Sequence, residues 1–176
     1  MSFVRRSLRA WPLPLAAALL AACATPAPVE APRPPAPAPA AMVAAIHAAG
    51  EREQSVIAVR PLADPGISAW QAAAEADVQA GHYDAAAAKL DQALKRSPDS
   101  PDLLQDRAEV ALYQHDYAQA QKLAQRSWAL GPKLGPLCAR NWETIAQLRQ
   151  GADDAAGAAT AQKWVAKCHV HGVNRF

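Results

Sequence analysis

The sequence predicts an all-α protein built from three stacked helical hairpins, on three observations. Alanine supplies 45 of the 176 residues, and an alanine-rich core favours closely packed helices over a sheet. Residues recur at a spacing of 34 from Ile67 onward. Turn signals divide each repeating unit into two helix-length halves. We therefore expect the folded domain to occupy residues 67–168.

The first 22 residues have the layout of a secretory signal peptide. Arg5, Arg6 and Arg9 precede an apolar run from Leu13 to Ala22, and no acidic residue interrupts them. The run is too short for a permanent membrane-spanning helix, which needs about 20 residues. Without these three arginines the chain has 15 basic and 16 acidic residues. The composition therefore gives no indication of nucleic-acid binding.

The end of the signal, Leu20-Ala21-Ala22-Cys23, resembles the lipobox of bacterial lipoproteins. The resemblance implies cleavage before Cys23, a diacylglyceryl group on its sulfur and acylation, as by palmitate, of the new amino group. The alternative is an ordinary signal peptide followed by a chance cysteine. Ala24 is not the aspartate that retains lipoproteins in the inner membrane of enteric bacteria. The resemblance therefore implies an outer-membrane anchor with the protein facing the periplasm.

A proline- and alanine-rich linker follows over residues 23–41. It holds seven prolines, at positions 26, 28, 32, 34, 35, 37 and 39. Such a segment forms a disordered, extended tether with a reach of about 3 Å per residue, or about 50 Å in all. Residues 42–66 form a poorly defined capping segment, with a short helix over 40–49 ended by Gly50 and some strand character over 55–59. We expect this segment to pack against the first repeat or to be partly disordered.

The repeating region begins at Ile67. The recurring pairs are Pro98 and Pro132, Ala74 and Ala108, Ala86 and Ala120, Leu94 and Trp128, and Tyr83 and Tyr117. Turns are predicted at 80–82, 114–116 and 150–152. The pattern resembles the tetratricopeptide repeat, which has the same period. The resemblance implies a short right-handed stack of about three hairpins that binds proteins or peptides.

The three units match this pattern to different degrees. The first unit matches at Trp70, Ala74, Gly81, Tyr83, Ala86, Ala93, Leu94 and Pro98. The second has Ser127 where a small apolar residue is usual, and the third has Trp142 in a small-residue position. Ser100 and Pro101 provide an N-cap and a first helical residue, and Gly131 ends the preceding helix.

In tetratricopeptide arrays the first helix of each unit lines a concave groove that holds the ligand. Carried onto this sequence, the groove positions are Gln71, Glu75, Gln105, Glu109, Tyr113 and Glu143. The three glutamates are spaced by 34 and are the only glutamates between residues 67 and 168. A row of carboxylates favours a basic or amine-bearing ligand. The alternative is a solvated helix face, because charges about 10 Å apart in water repel by only about 0.4 kcal/mol.

Two cysteines remain if Cys23 carries lipid. Cys138 and Cys168 flank the third turn symmetrically, with a midpoint at residue 153. Antiparallel helices place them at the same height, so we expect a disulfide in an oxidising compartment. Two buried free thiols are the alternative.

The sequence contains no recognisable catalytic or phosphate-binding motif. The run Cys168-His169-Val170-His171 could bind a metal, but a polar tail over 169–176 is the simpler interpretation, because oxidised cysteines do not ligate metals. We therefore expect no metal, no cofactor and no enzymatic activity. The predicted function is a membrane-anchored adaptor or assembly factor with a protein or peptide partner in the periplasm. The alternative is a lipoprotein that binds peptidoglycan or another cell-wall component.

Overall fold

The computed structural model describes residues 36–53 and 64–169, and these residues form seven α-helices with no strand. The helices are α1 (Pro39–Arg52), α2 (Pro65–Gln79), α3 (Tyr83–Arg96), α4 (Pro101–Tyr113), α5 (Tyr117–Leu130), α6 (Pro136–Gly151) and α7 (Ala155–Lys167). Hairpins form from α2 with α3, α4 with α5, and α6 with α7. The predicted all-α stack of three helical hairpins is confirmed. The predicted signal peptide, Cys23 and the strand character over 55–59 lie outside the described residues.

Proline and aspartate set the starts of the helices. A proline occupies the first turn of α1, α2, α4 and α6, where its missing N–H costs no hydrogen bond. The side chains of Asp64, Asp116 and Asp154 accept hydrogen bonds from backbone N–H groups of α2, α5 and α7. Ser100 is the N-cap residue of α4, as predicted, although its side chain makes no capping hydrogen bond. Helix α5 ends before Gly131, also as predicted.

The hairpin turns each contain a residue in the left-handed region. Gly81 and His115 have φ of 77° and 58° and are 34 residues apart. The corresponding residue of the third hairpin is Asp153, with φ of 60°. The third turn was predicted at 150–152, but α6 continues to Gly151 and the turn follows it. The third unit therefore has a longer first helix, of 16 residues against 13 in α4.

Alanines let the paired helices approach closely. Ala86, Ala93 and Ala120 are fully buried at their hairpin interfaces. Ser127 replaces the usual apolar residue, and its hydroxyl donates a hydrogen bond to the backbone carbonyl of Pro101 at 2.7 Å. The buried hydroxyl is thereby satisfied, so a polar residue is tolerated at this position.

Helix α1 packs on the second and third hairpins, against α4 and α6. Its buried side chains Met42, Val43 and Ile46 join a core cluster that includes Leu112 and Leu148. The expectation that this segment packs against the first repeat is wrong for α1, and residues 54–63 lie outside the described residues. The apolar side chains of α1 are buried against the concave face of the two later hairpins, where Ile46 has no exposed surface.

The end of α1 explains a second difference from the sequence prediction. Gly50 was expected to end the helix, but α1 continues to Arg52. A Cβ atom at position 50 would lie 2.9 Å from Cγ of Arg140. The glycine therefore permits close approach of α1 to α6 instead of ending the helix. No helix among the described residues is long and apolar enough to cross a membrane.

Candidate functional site

The predicted groove is lined by α2, α4 and α6, and α1 occupies its middle and last parts. Three of the six predicted groove residues are buried, namely Gln105, Glu109 and Glu143. Glu75 is exposed, and Gln71 and Tyr113 are partly buried. The groove residues therefore do not form one open surface.

Glu109 is the centre of a buried network that joins α1, α4 and α6. Its carboxylate accepts hydrogen bonds from Nε of Arg140 at 3.0 Å and Nε2 of Gln105 at 2.8 Å, and Nη2 of Arg140 forms an ion pair with it at 2.8 Å. Nε2 of His47, on α1, lies 2.7 Å from its other oxygen. Arg140 also reaches Asp106 at 2.9 Å. Charge-assisted hydrogen bonds thus hold α1 in place over the groove.

Arg140 and His47 stabilise the charge of Glu109, whereas burial raises the pKa of the neighbouring Asp106. The hydrogen bond to Glu109 raises the pKa of His47 above its ordinary value, although partial burial opposes this. Burial alone would raise the pKa of Glu109, but Arg140 and His47 outweigh it and the pKa is lowered. The neighbouring carboxylates likewise raise the pKa of Arg140 despite its desolvation. At neutral pH the network therefore holds an ionised Glu109 and a charged Arg140.

Glu143 is buried in a different setting. Its carboxylate accepts hydrogen bonds from Gln147 at 2.7 Å and from Gln162 of α7 at 2.8 Å. Both donors are neutral amides, and none of the described residues gives Glu143 an arginine partner of the kind that Glu109 has. Glu143 therefore lies at the junction of the two helices of the third hairpin.

The alternative interpretation, a solvated helix face for all three glutamates, does not hold for Glu109 and Glu143, which are buried. Their neighbours α1 and α7 cover them, which a spacing of 34 residues does not reveal. Of the three glutamates only Glu75, in the first hairpin, is exposed. Gln71, also on α2, donates a hydrogen bond to Asp106 of α4 at 3.1 Å. A ligand-binding role for these groove positions stays a prediction.

A disulfide joins Cys138 and Cys168, with a Cα–Cα distance of 5.6 Å. Both residues are buried, beside Ala49 of α1 and Val165 of α7. The backbone N–H of Gly135 donates to the carbonyl of Cys168 at 2.7 Å and closes the open end of the hairpin. The bridge thus lies at the end of α7, which is the last helix of the described residues.

Sequence reasoning missed a cluster of three tryptophans. Trp142 stacks on Trp164 with ring centroids 5.2 Å apart, and Trp128 meets Trp142 edge-on at 5.3 Å. A signal was available, because Trp142 and Trp164 share the midpoint 153 with the two cysteines. Trp142 stands at a small-residue position because α7 supplies Trp164 as a stacking partner.

The described residues contain no group of three or more His, Cys, Asp or Glu side chains arranged to hold a metal ion. In the run at the C-terminus, Cys168 is in the disulfide and Nδ1 of His169 lies 2.9 Å from the carboxylate of Glu53. His171 lies outside the described residues.

Comparison with known proteins agrees with this architecture. A family model described as a tetratricopeptide repeat matches residues 77–140. The globular C-terminal domain of P. aeruginosa LpoP is 35% identical, with a TM-score of 0.56, over 59% of this chain and 98% of that domain. No curated protein matches the chain by sequence. The chain therefore belongs to the bacterial lipoproteins with tetratricopeptide repeats, to which LpoP also belongs.

Proposed function

We propose that this chain is a lipid-anchored periplasmic lipoprotein that binds a partner protein as a non-catalytic adaptor or assembly factor. The observation that carries the proposal is the likeness to the LpoP domain, which extends over 98% of that domain at 35% identity. Tetratricopeptide repeats typically act as interaction modules, since stacked hairpins present extended surfaces.

The anchor is the acylated Cys23, and the membrane is the outer membrane. The basic segment, apolar run and lipobox-like sequence support this assignment. One acyl chain gives only marginal binding, so stable attachment requires the two or three chains that this modification adds. The linker then gives the helical domain a reach of about 50 Å from the bilayer.

The geometry limits where a partner can bind. Because α1 covers the concave face of α4 and α6, an extended ligand cannot run along the whole groove without displacing buried Ile46. This weakens the alternative in which the groove binds a peptidoglycan strand or peptide. The open concave surface is that of α2, around Glu75.

Affinity capture of the full-length lipoprotein from mildly crosslinked cells tests the proposal. We expect one defined protein to be enriched. A contribution of the open groove to partner binding would reduce the amount captured with the variant Glu75→Lys. Exposed Lys95 on α3 provides the control, as Lys95→Glu changes the net charge by two units in the opposite direction and lies outside the groove. Co-sedimentation with purified peptidoglycan and no enriched protein would contradict the adaptor proposal and support the cell-wall alternative.

A further inference from the structure

The tryptophan cluster is partly open to solvent on the last two hairpins. Trp164 is 38% exposed, while Trp128 and Trp142 are partly buried. One face of the Trp164 ring is covered by Trp142 and a second contact comes from Lys167, whose Nζ lies 4.0 Å from the ring centroid. The accessible part of Trp164 is therefore mainly its edge.

Other exposed apolar side chains lie at the same end of the domain. Leu130 and Leu134, which are 48% and 53% exposed, belong to the end of α5 and the connection to α6. The hydrogen bond from Gly135 to Cys168 holds this connection against the end of α7, one turn beyond Trp164. Among the described residues, three of the four exposed large hydrophobic side chains therefore belong to the end of α5, the α5–α6 connection and the last turn of α7, and the fourth is Tyr117.

The surroundings of this cluster are basic. Lys133 lies 4.6 Å from the Trp128 ring centroid and donates to the carbonyls of Ala129 and Gly131, each at 3.0 Å. Lys133 thus caps α5 and fixes a positive charge beside the ring. Within the ranges 36–53 and 64–169, no carboxylate pairs with Lys133, Lys163 or Lys167.

The charge pattern extends over both helices. Residues 117–135 and 155–167 contain no Asp or Glu, and their basic residues are Lys122, Arg126, Lys133, Lys163 and Lys167. Only Arg126 has a carboxylate partner there, Asp99 at 2.7 Å. The acidic residues of these hairpins lie on α4 and α6 and in the turns that precede α5 and α7, namely Asp102, Asp106, Glu109, Glu143, Asp116, Asp153 and Asp154. The α5 and α7 side is therefore electropositive as well as partly apolar.

We propose that this basic tryptophan surface, made of Trp128, Trp164, Leu130, Leu134, Lys133, Lys163 and Lys167, binds an acidic segment of the protein partner. This rests on the proposed adaptor function and specifies its partner. Carboxylates of the segment pair with Lys163 and Lys167, for which residues 36–53 and 64–169 supply no carboxylate partner. An apolar side chain of the segment packs against the edge of Trp164 and the two leucines, in the way that aromatic residues anchor interfaces.

A protein segment fits this surface better than a bilayer or a glycan. The prolines of residues 26–39 predict an extended linker, so we expect the domain to work away from the membrane. Sugar rings stack on open aromatic faces, whereas Trp142 and Lys167 already contact the Trp164 ring. An acidic peptide can instead exchange the lysine–ring contact for a stronger lysine–carboxylate pair.

Photo-crosslinking of the full-length lipoprotein in cells tests the proposal. A photo-reactive amino acid replaces Leu134 in the surface, Glu75 in the open groove, or Lys95 as an exposed control on α3. The photo-reactive residue at position 134 is then introduced into three variants. These are the charge reversal K163E/K167E, the milder K163Q/K167Q and the control K95E. Thermal melting of each variant verifies that the domain is folded.

We expect an adduct at Leu134 with one protein, through a peptide of net negative charge. K163E/K167E should reduce this adduct by about tenfold, the glutamine pair should reduce it less, and K95E should leave it unchanged. The proposal is overturned by an adduct with lipid, with a second copy of this chain or with a non-acidic peptide, or by an adduct that survives charge reversal. Adducts at Glu75 alone would overturn this proposal and leave the adaptor function standing. Adducts at neither position would contradict both.

Discussion

Glu109 should be far more important for stability than Glu75, although the two occupy equivalent positions in neighbouring repeats. The test is the pair of single substitutions Glu109→Gln and Glu75→Gln, which remove the same charge and preserve the side-chain shape. Glu109 is 6% exposed and accepts hydrogen bonds from Arg140, Gln105 and His47. Glu75 is exposed.

The magnitude follows from what remains after the change. Removing one partner of a buried ion pair costs about 3–5 kcal/mol. Arg140 keeps Asp106 at 2.9 Å, and its side chain is 23% exposed. The loss should therefore fall below this range, at about 2–3 kcal/mol. In a domain of this size each kcal/mol lowers the melting temperature by about 4 °C, so we expect a decrease of about 8–12 °C.

Circular dichroism melts of the mature, oxidised protein at pH 7 measure both variants. Glu75→Gln should change the free energy of unfolding by less than about 0.5 kcal/mol, as is usual for exposed sites. Equal melting temperatures for the two variants would refute the structural difference between the repeats. A large loss for Glu75→Gln would refute it equally.

Three further predictions concern the bridge, the histidine and the anchor. Thiol labelling of denatured, unreduced protein should find neither Cys138 nor Cys168 reactive, and labelling at both would disprove the bridge. Reduction should lower the free energy of unfolding by about 3–4 kcal/mol, because it opens a loop with a sequence separation of 30. Since the pKa of His47 is raised in the folded state, its contribution is complete below its unfolded pKa of about 6.5 and is lost as the pH rises through the folded value. His47→Gln should therefore lower the melting temperature more at pH 6 than at pH 9, and a difference that grows with pH would contradict this. Mass spectrometry should find a mature N-terminus at Cys23 with added acyl mass, and Cys23→Ser should release the protein from the membrane; a soluble mature form with another start is the opposing result.

The hairpins could be predicted from the sequence because their signals are local. Proline, glycine and aspartate mark the helix ends within a few residues of where the structure has them, and alanine marks the interfaces. The cysteine pair also followed from local geometry, since two antiparallel helices bring residues that are symmetric about residue 153 together. The same symmetry applies to Trp142 and Trp164, but their cluster was missed because Trp142 was seen only as a departure from the repeat.

The packing position of α1 could not be predicted in this way. Residues 40–49 contain few large apolar side chains, and no repeat period links them to a partner helix. Their packing depends on Arg140, which is remote in sequence, and on the space that Gly50 leaves for it. The burial of Glu109 follows from that packing, so the glutamate row looked uniform in the sequence and is not uniform in the structure.

Hydrogen–deuterium exchange of the intact lipoprotein most directly tests the central claim that α1 is a permanent occupant of the groove. Backbone amides of residues 43–50 should exchange only through global unfolding, with the same free energy of opening as amides in α4 and α6. The buried positions of Ile46 and Ala49 lead to this expectation. Exchange of α1 that is orders of magnitude faster than that of α4 would contradict it, since the groove would then be open to ligands for much of the time.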